Sequence, residues 1–302
     1  MAFEELPAPA LPDWLAPMLP FKRYRLRVGS FALHVMEQGE GRPVFMLHGN
    51  PTWGFLWRRV AAELKNEKLR LIMPDLLGLG LSDHPADAGI HTLELHARLM
   101  TELIGRLQLN DFIFVAQDWG GAIGGLACAA HDSKVAGLVL MNTVMGPPKP
   151  GFKANAFHTF SQLPLLSDAV FRLGNFPARG MAMTQGHRSS VEGDVGRAYR
   201  WVLRNRFTNQ APLALARMVP DSQRHPSIPA LQRCEDWVAQ FKRPAALVWG
   251  ERDPILGRVK NRLARLLPHA EVTTTQAGHF LQEEVPREIA DAIRNVAKAI
   301  GR

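Results

Sequence analysis

"VAQDWGG", residues 115–121, places an acidic residue, Asp118, at the junction of two different patterns. The run "DFIFVAQD" (111–118) is apolar and typical of a buried strand, whereas residues 119–131 follow a helical pattern. Ala116 and Gly120 flank Asp118 at a distance of two positions and permit a sharp turn in which larger side chains would clash. The stretch therefore predicts a strand, a strained turn and a helix, with the side chain of Asp118 exposed at the turn.

Apolar runs of the same kind recur along the chain and alternate with helical patterns. Such runs suit strands that are buried on both faces of a parallel sheet, and the alternation indicates a doubly wound α/β architecture. A hairpin over residues 22–28 and 31–38, turned at Gly29-Ser30, precedes them. We therefore expect an eight-stranded, mostly parallel sheet. The other predicted strands are 43–49, 69–78, 111–118, 135–142, 244–253 and a short strand before His279, and the predicted helices of this sheet domain are 55–66, 91–108, 119–131, 257–267 and 286–300.

Residues 143–226 interrupt this alternation. They contain no run typical of a buried strand, and they are rich in Phe, Met, Pro and Arg. We interpret them as a helical cap inserted between two parts of the sheet domain, residues 1–142 and 227–302. The helical stretches of the cap are predicted at 153–163, 165–173, 193–206 and 211–218.

The overall composition is that of an ordinary globular protein, with 46% apolar and 21% charged residues. No segment approaches the roughly 18 continuous apolar residues that would span a bilayer, and the acidic, proline-broken N-terminus does not read as a secretory signal. The two cysteines, Cys128 and Cys234, occur in no motif, which fits a reducing compartment. We expect a cytoplasmic protein with no membrane partner.

The formal charge of +8 raises the question of a nucleic-acid partner. The arginines are scattered, with small clusters only at 197–206 and 258–265, and no nucleic-acid-binding motif accompanies them. A solvated basic surface is the better interpretation. No predicted strand is followed by the glycine pattern of a dinucleotide site. His91 and His96 lie five positions apart, which suits neither one helix face nor a metal site, so we expect them to be exposed and expect no metal.

Two further polar residues follow predicted strands and complete a catalytic pattern with Asp118. Asp253 lies in "WGERDPIL" (249–256), and His279 lies in "QAGHFLQEEVP" (276–286). Ligands of open α/β sheets bind at the carboxyl ends of strands, so these side chains are expected to converge. The chain order of nucleophile, acid and histidine is that of α/β-hydrolases.

The loop "LHGNPTWGF" (47–55) is expected to face Asp118 and to supply a backbone N–H that forms an oxyanion hole together with the N–H of Trp119. His48 is interpreted as a structural brace of this loop. Asn50 carries an amide donor beside the oxyanion position. Asn50 and Trp119 are therefore the candidate donors to an anion beside Asp118.

A carboxylate nucleophile suits displacement at saturated carbon or at an epoxide, and it forms an ester on the enzyme. His279 would deprotonate the water that hydrolyses this ester, while Asp253 would hold the imidazole. An epoxide oxygen needs a proton donor, commonly a cap tyrosine, and the chain has only Tyr24 and Tyr199. A halide needs neutral donors instead, which the Trp119 indole and the Asn50 amide provide.

The sequence resembles the haloalkane dehalogenases of the α/β-hydrolase fold. The resemblance implies that water and a small apolar halogenated substrate give an alcohol, a halide ion and a proton, with no cofactor. Some members carry the catalytic acid after an earlier strand, where this chain reads "LMNTV" (140–144) with Asn142, so the acid falls to Asp253. This acid, paired with Asn50, resembles the third subfamily, whose members tend to self-associate, and a homo-oligomer stays open. The matching segments are "LHGNPTW", "DLLGLGLSD" (75–83), "QDWGG" (117–121), "WGERDP" and "GHFLQEEVP".

An apolar pocket over Asp118 would desolvate the carboxylate and accept alkyl chains. Core packing accounts for most of the cap phenylalanines equally well, and Trp201, the one cap tryptophan, is interpreted as packing. Epoxide hydrolysis and a non-catalytic small-molecule-binding homologue are the alternatives, although the second usually lacks part of the triad. The candidate pocket residues are Phe152, Phe157, Phe160, Phe171, Phe176, Ile255, Leu256 and Phe280.

Overall fold

The computed structural model describes residues 4–152, 156–205 and 209–301. Over these residues, nine strands form one sheet in the order β1-β2-β3-β5-β4-β6-β7-β8-β9. Strands β1, β2 and β3 pair antiparallel, as do β3 and β5, and all the remaining pairs are parallel. The architecture is the expected mostly parallel α/β sheet. The strands are β1 (Glu5–Pro7), β2 (Lys22–Val28), β3 (Phe31–Gln38), β4 (Arg42–Leu47), β5 (Leu69–Pro74), β6 (Phe112–Asp118), β7 (Val135–Thr143), β8 (Ala245–Gly250) and β9 (Glu271–Thr275).

The described sheet has one strand more than the eight expected. The additional strand is β1, which pairs antiparallel with β2 at the edge of the sheet. It consists of three residues and ends at Pro7. Such a short segment carries no alternating pattern, and proline cannot donate to the ladder, so only pairing with a distant strand defines it.

Ten α-helices surround the sheet within the described residues. Helix α8 was not anticipated, although its buried residues Ala230, Leu231, Cys234 and Val238 follow the spacing of an amphipathic helix. The predicted helices of the sheet domain are present, with shorter bounds in most cases. The helices are α1 (Arg58–Glu63), α2 (Leu93–Arg106), α3 (Trp119–Ala129), α4 (Ala156–Ser161), α5 (Leu166–Arg172), α6 (Gly193–Trp201), α7 (Ala211–Arg217), α8 (Ile228–Gln240), α9 (Lys260–Leu266) and α10 (Pro286–Ile300).

Helix α3 packs closely against the centre of the sheet because it is rich in glycine. A Cβ at Gly124 would lie 2.3 Å from the Phe114 ring of β6, and a Cβ at Gly125 would lie 2.7 Å from Cys234 of α8. Every residue of the neighbouring strand β7 is buried. The close approach fixes the N-terminus of α3 at the carboxyl edge of the sheet.

Helices α4 to α7 lie between β7 and α8, and the described part of residues 143–226 contains no strand. Residues 153–155 and 206, which belong to two of the predicted cap helices, lie outside the described residues. A buried network joins α6 to the segment before α10: the Tyr199 hydroxyl of α6 donates to Glu283 at 2.5 Å. The Arg58 guanidinium donates to both oxygens of Glu283, at 2.6 and 2.9 Å. These bonds hold α6 in place beside the segment that follows His279.

His91 and His96 are buried, and the expectation that they would be exposed is wrong. Nδ1 of His91 lies 3.0 Å from Nε2 of His96, and the two rings stack. His91 precedes α2 and His96 lies in its first turn, so the bend at the start of the helix brings them together. Burial lowers the pKa of His91 to about 4 and that of His96 to about 3. The described helices include none that is long and apolar enough to cross a membrane.

Candidate active site

Asp118 lies at the turn between β6 and α3 in a strained conformation, with φ 52° and ψ −131°. A Cβ at Gly120 would lie 2.3 Å from the Leu47 carbonyl oxygen, and a Cβ at Gly121 would lie 1.9 Å from Oγ1 of Thr143. Glycine is therefore required at both positions. The Thr143 hydroxyl donates to the Asp118 carbonyl at 2.6 Å and braces the turn. The Asp118 side chain lines a cavity between the sheet and the cap.

The structure brings Asp118, His279 and Asp253 together at the carboxyl edge of the sheet. Nδ1 of His279 lies 2.9 Å from Oδ2 of Asp253, and Nε2 lies 3.6 Å from Oδ2 of Asp118. The imidazole thus stands between two carboxylates, with one ring nitrogen towards each. His279 and Asp253 are almost fully buried, with 1% and 6% of their surfaces exposed.

Asp253 is held by a side chain at the end of β7 and by the backbone of its own loop after β8. The Asn142 amide, at the end of β7, donates to Oδ2 at 2.6 Å, and the backbone N–H of Ile255 donates to Oδ1 at 2.7 Å. Asn142 is itself fixed, because its amide also bonds the backbone of Gly250 in both directions. Burial raises the pKa of Asp253, but His279 and these donors outweigh it and hold the pKa below its usual range.

The protonation of His279 depends on both carboxylates. Burial lowers its pKa, whereas Asp253 and Asp118 raise it, and the result is a pKa of about 10. The imidazole is therefore protonated at neutral pH as long as both carboxylates are charged. Removal of either charge would lower the pKa of His279.

Gln117 is a site residue that the sequence reasoning missed. Its side-chain amide lies 3.2 Å from Nε2 of His279 and 3.1 Å from the carbonyl oxygen of His279. Gln117 is fully buried. A buried glutamine directly before Asp118 in an otherwise apolar strand was the only signal in the sequence.

The loop after β4 contacts the other oxygen of Asp118. The backbone N–H of Asn50 donates to Oδ1 of Asp118 at 2.8 Å. This close approach requires Gly49, where a Cβ would lie 2.3 Å from the same oxygen. His48 braces the loop as expected: its Nδ1 lies 2.9 Å from the Gly49 carbonyl oxygen, and its Nε2 accepts a bond from the Leu76 backbone at 2.9 Å.

The two candidate halide-binding residues, Asn50 and Trp119, both line the cavity beside Asp118. The Asn50 amide also donates to the carbonyl oxygen of Pro212 in α7, at 2.9 Å. An amide nitrogen carries two hydrogens, so this bond leaves one for a ligand. The side chain of Asn50 therefore connects the loop after β4 to α7, a contact that the sequence did not indicate.

The cavity above Asp118 has a volume of about 790 Å³ and is mostly apolar. Two of the expected pocket residues, Phe160 and Phe171, are not part of its wall. Phe171 is fully buried inside the cap, where Phe157, Phe160 and Phe176 pack around it. Trp201 is also absent from the wall, and Arg204 lies over its ring. The expected residues that do line the cavity are Phe152, Phe157, Phe176, Ile255, Leu256 and Phe280.

His158, on α4, is a polar residue of the cavity wall that was not anticipated. Burial lowers its pKa, while Asp118 and a bond to the Ala216 carbonyl raise it and Arg258 lowers it. Neither tyrosine lies in the wall formed by the described residues. The Tyr24 hydroxyl donates to Glu37, and the Tyr199 hydroxyl donates to Glu283. The described residues contain no group of three or more His, Cys, Asp or Glu side chains that could hold a metal.

Comparisons with known proteins agree with this geometry. A family model described as the α/β hydrolase fold matches residues 42–286. Haloalkane dehalogenase 2 of Mycobacterium tuberculosis is 32% identical over 280 residues, which cover 91% of this chain and 95% of that protein. The haloalkane dehalogenase of Mycobacterium marinum is 29% identical over 269 residues, or 86% of this chain and 87% of the relative.

Solved structures show the same fold at lower identity. The haloalkane dehalogenase DbeA from Bradyrhizobium elkani superposes with a TM-score of 0.83 and 23% identity, covering 93% of this chain and 99% of that chain. The haloalkane dehalogenase DpaA from Paraglaciecola agarilytica, whose structure is described as tetrameric, gives a TM-score of 0.82 and 22% identity, with 95% and 97% covered. Fold, family model and sequence identity agree: the chain belongs to the haloalkane dehalogenase family of the α/β-hydrolase fold.

Proposed function

We propose that the protein hydrolyses the carbon–halogen bond of haloalkanes to an alcohol, a halide ion and a proton, with no cofactor. The observation that carries this proposal is the carboxylate of Asp118 at the turn after β6, with Nε2 of His279 3.6 Å from it. A carboxylate is poorly suited to acyl transfer but well suited to displacement at saturated carbon.

In the first step, a carboxylate oxygen of Asp118 attacks the carbon that carries the halogen, and the halide leaves with the bonding electrons. The product is an ester between Asp118 and the alkyl group. The indole N–H of Trp119 and the second amide hydrogen of Asn50 stabilise the departing halide. The apolar wall excludes water from the carboxylate, which strengthens these electrostatic contacts.

In the second step, a water molecule attacks the ester carbonyl of Asp118 and transfers a proton to His279. Esterification removes the negative charge 3.6 Å from His279, so the pKa of His279 falls, the imidazolium releases its proton to solvent and the neutral imidazole acts as the base. The backbone N–H of Asn50 stabilises the tetrahedral oxyanion. Collapse of this intermediate releases the alcohol, which takes the proton back from His279. Asp118 returns to its carboxylate form by giving up the second proton of the water, which restores the imidazolium, so one proton is released per turnover.

Asp253 orients His279 and stabilises its charged form, with Asn142 as the support of Asp253. An acid at this position, together with Asn50 as a halide donor, supports assignment to the third subfamily. Epoxide hydrolysis is less well supported, because the described wall of the cavity contains no tyrosine that could protonate an epoxide oxygen. The proximity of all three triad residues disfavours a role in binding alone.

The domain and assembly assignments are proposals as well. We propose that residues 143–226 form a cap over a core made of residues 1–142 and 227–302. We propose a cytoplasmic protein, in keeping with two buried free cysteines. Self-association is supported by the tetramer described for DpaA and by four exposed leucines on and around α5, Leu163, Leu165, Leu166 and Leu173. Light scattering after size-exclusion chromatography tests this assembly.

Bromide release from 1-bromobutane, followed with a pH indicator, tests the activity. The decisive variant is Asp118→Asn, which keeps the shape of the side chain and removes the nucleophile. Release by the parent protein and loss in the variant support the proposal. A single turnover in heavy-oxygen water should place the label in Asp118, because water attacks the ester carbonyl. Label found only in the alcohol would disprove the ester intermediate.

A further inference from the structure

The charged residues of the cavity wall lie at two different places. Asp118 and His279 stand at the catalytic end, where both are largely buried. Three basic residues, Lys149, Arg258 and Arg262, also line the cavity, and Lys149 and Arg258 are exposed to solvent. The exposed residues mark the opening of the cavity.

Only one of these three basic side chains is neutralised by a described carboxylate. Arg262 forms a double hydrogen bond with Glu235, at 2.8 and 2.9 Å, and donates to the Pro147 carbonyl at 2.5 Å. Among the described residues, neither Arg258 nor Lys149 takes part in an ion pair, although the chain forms many elsewhere. The opening therefore carries uncompensated positive charge.

The Arg258 guanidinium, although exposed, lies against the cavity wall. It lies over the Phe152 ring, 5.3 Å from the ring centroid, and Phe152 itself lines the cavity. The cavity wall thus combines a largely buried nucleophile, apolar side chains and an exposed cation.

A volume of about 790 Å³ far exceeds what a short haloalkane fills, since pockets of roughly 300–1,000 Å³ hold ligands the size of drugs. We propose that the cavity selects terminally halogenated carboxylates whose chain lets the halogenated carbon reach Asp118 while the carboxylate binds Arg258 and Lys149. This inference rests on the proposed dehalogenation and adds a substrate class to it. The reaction is unchanged: the carbon–halogen bond breaks, the ester to Asp118 forms, and the distal carboxylate takes no part in the chemistry.

The proposal predicts how activity depends on the chain length of the acid. In a short acid such as bromoacetate, the carboxylate would lie in the apolar middle of the cavity and close to the charged Asp118, where desolvation and repulsion oppose binding. In longer acids the carboxylate reaches the opening, and its attraction to the basic residues lowers KM. Activity towards brominated acids should therefore rise with chain length up to an optimum.

The test compares 6-bromohexanoate with its neutral counterpart 1-bromohexane and extends to 4-bromobutanoate, 8-bromooctanoate and 10-bromodecanoate. In the double variant Arg258→Gln, Lys149→Gln, the ratio of kcat/KM for the best acid to that for the matching bromoalkane should fall about fivefold, as expected for two partly solvated charge contacts. Rates with bromoalkanes should fall much less than rates with the acids, because a neutral alkyl chain makes no charge contact with either residue. Added salt should lower the same ratio in the parent protein.

The control is Arg265→Gln, which removes one positive charge from α9, seven positions after Arg258, at an exposed residue outside the cavity wall. It should leave the ratio unchanged. An unchanged ratio in the double variant, an equal loss with acids and alkanes, or highest activity with bromoacetate would overturn the inference. Bromide release from 1-bromohexane with none from any acid would overturn the inference alone, whereas no release from any substrate would contradict the proposed function itself.

Discussion

Asn142, at the end of β7, donates its amide to Oδ2 of Asp253, beyond the end of β8, at a distance of 2.6 Å. The same oxygen contacts Nδ1 of His279 at 2.9 Å. Asn142 therefore fixes Asp253, which in turn orients His279, the proposed base, and Asn142 itself makes no described contact with His279. The bond between Asn142 and Asp253 links the carboxyl ends of β7 and β8, which are parallel neighbours in the sheet.

Substitution of Asn142 tests this support. Asn142→Gly should lower the free energy of unfolding by about 1–3 kcal/mol, because a buried carboxylate loses a hydrogen bond. The backbone of Asn142 has φ 31°, so Asn142→Ala should cost more, since alanine adds strain in the left-handed region. Urea unfolding measures both changes, and kcat should fall in both variants. Equal stability of the parent and the glycine variant would contradict the assigned role.

Replacement of His279 by Phe should separate the two steps of the reaction. Displacement by Asp118 does not need a base, whereas hydrolysis of the ester does. His279→Phe should therefore release about one bromide per active site and then stop, with the mass of the protein increased by the alkyl group. Stopped-flow halide detection and intact-protein mass spectrometry measure the two quantities. Asp118→Asn is the control and should show neither signal; steady turnover in His279→Phe would rule out His279 as the base.

The free energy of unfolding of the free enzyme should fall at alkaline pH as His279 loses its proton. Its folded pKa, about 10, lies above its ordinary value of 6.5, so the stabilisation is complete below pH 6.5 and is lost as the pH rises through about 10. Asp118→Asn should weaken this dependence because it removes one of the two anions that raise the pKa. Urea unfolding at a series of pH values measures it. An alkaline dependence equal in His279→Phe and in the parent would assign the effect to other groups.

Asn50→Ala should lower kcat/KM for bromide release. The loss of transition-state stabilisation should be about 2–4 kcal/mol, the range seen when one anion-stabilising donor is removed. The variant also loses the contact with the Pro212 carbonyl, so its unfolding must be measured in parallel. The Pro212 carbonyl belongs to the backbone, so no substitution at Pro212 removes it. Asn50→Asp therefore provides the second variant, because it keeps the shape of the side chain and replaces the amide donor by an acceptor. Near-normal halide release in both folded variants would move the role to another donor, such as His158.

Local features of the sequence identified most of the catalytic centre. The turn at Asp118 needs small neighbours at fixed offsets, and apolar runs identify the buried strands that end near Asp253 and His279. These signals are local because sterics and burial act residue by residue along an element. The pattern also indicated the brace formed by His48, which the structure confirms.

Several members of the site could not be anticipated because their contacts join segments distant in sequence. Gln117 contacts His279 across 162 positions, and the Asn50 amide reaches Pro212 across an equal separation. His158 was overlooked because a lone histidine in a short helix has no distinctive periodicity. A helix pattern does not state which of its faces meets the cavity, and for that reason Phe171 was placed in the wall although it is buried inside the cap.

The sequence by itself determined the order of the elements, the position of the proposed nucleophile and the residues that converge on it, since chain sterics and apolar periodicity are encoded locally. Only the tertiary structure decided that Asn142 supports Asp253, that β1 pairs with β2 and that His91 is buried against His96. The tertiary structure also decided which side chains of residues 143–226 and of the loop before α9 enclose the cavity. Those outcomes depend on how separate elements pack together, and packing is a property of the whole fold rather than of any one segment.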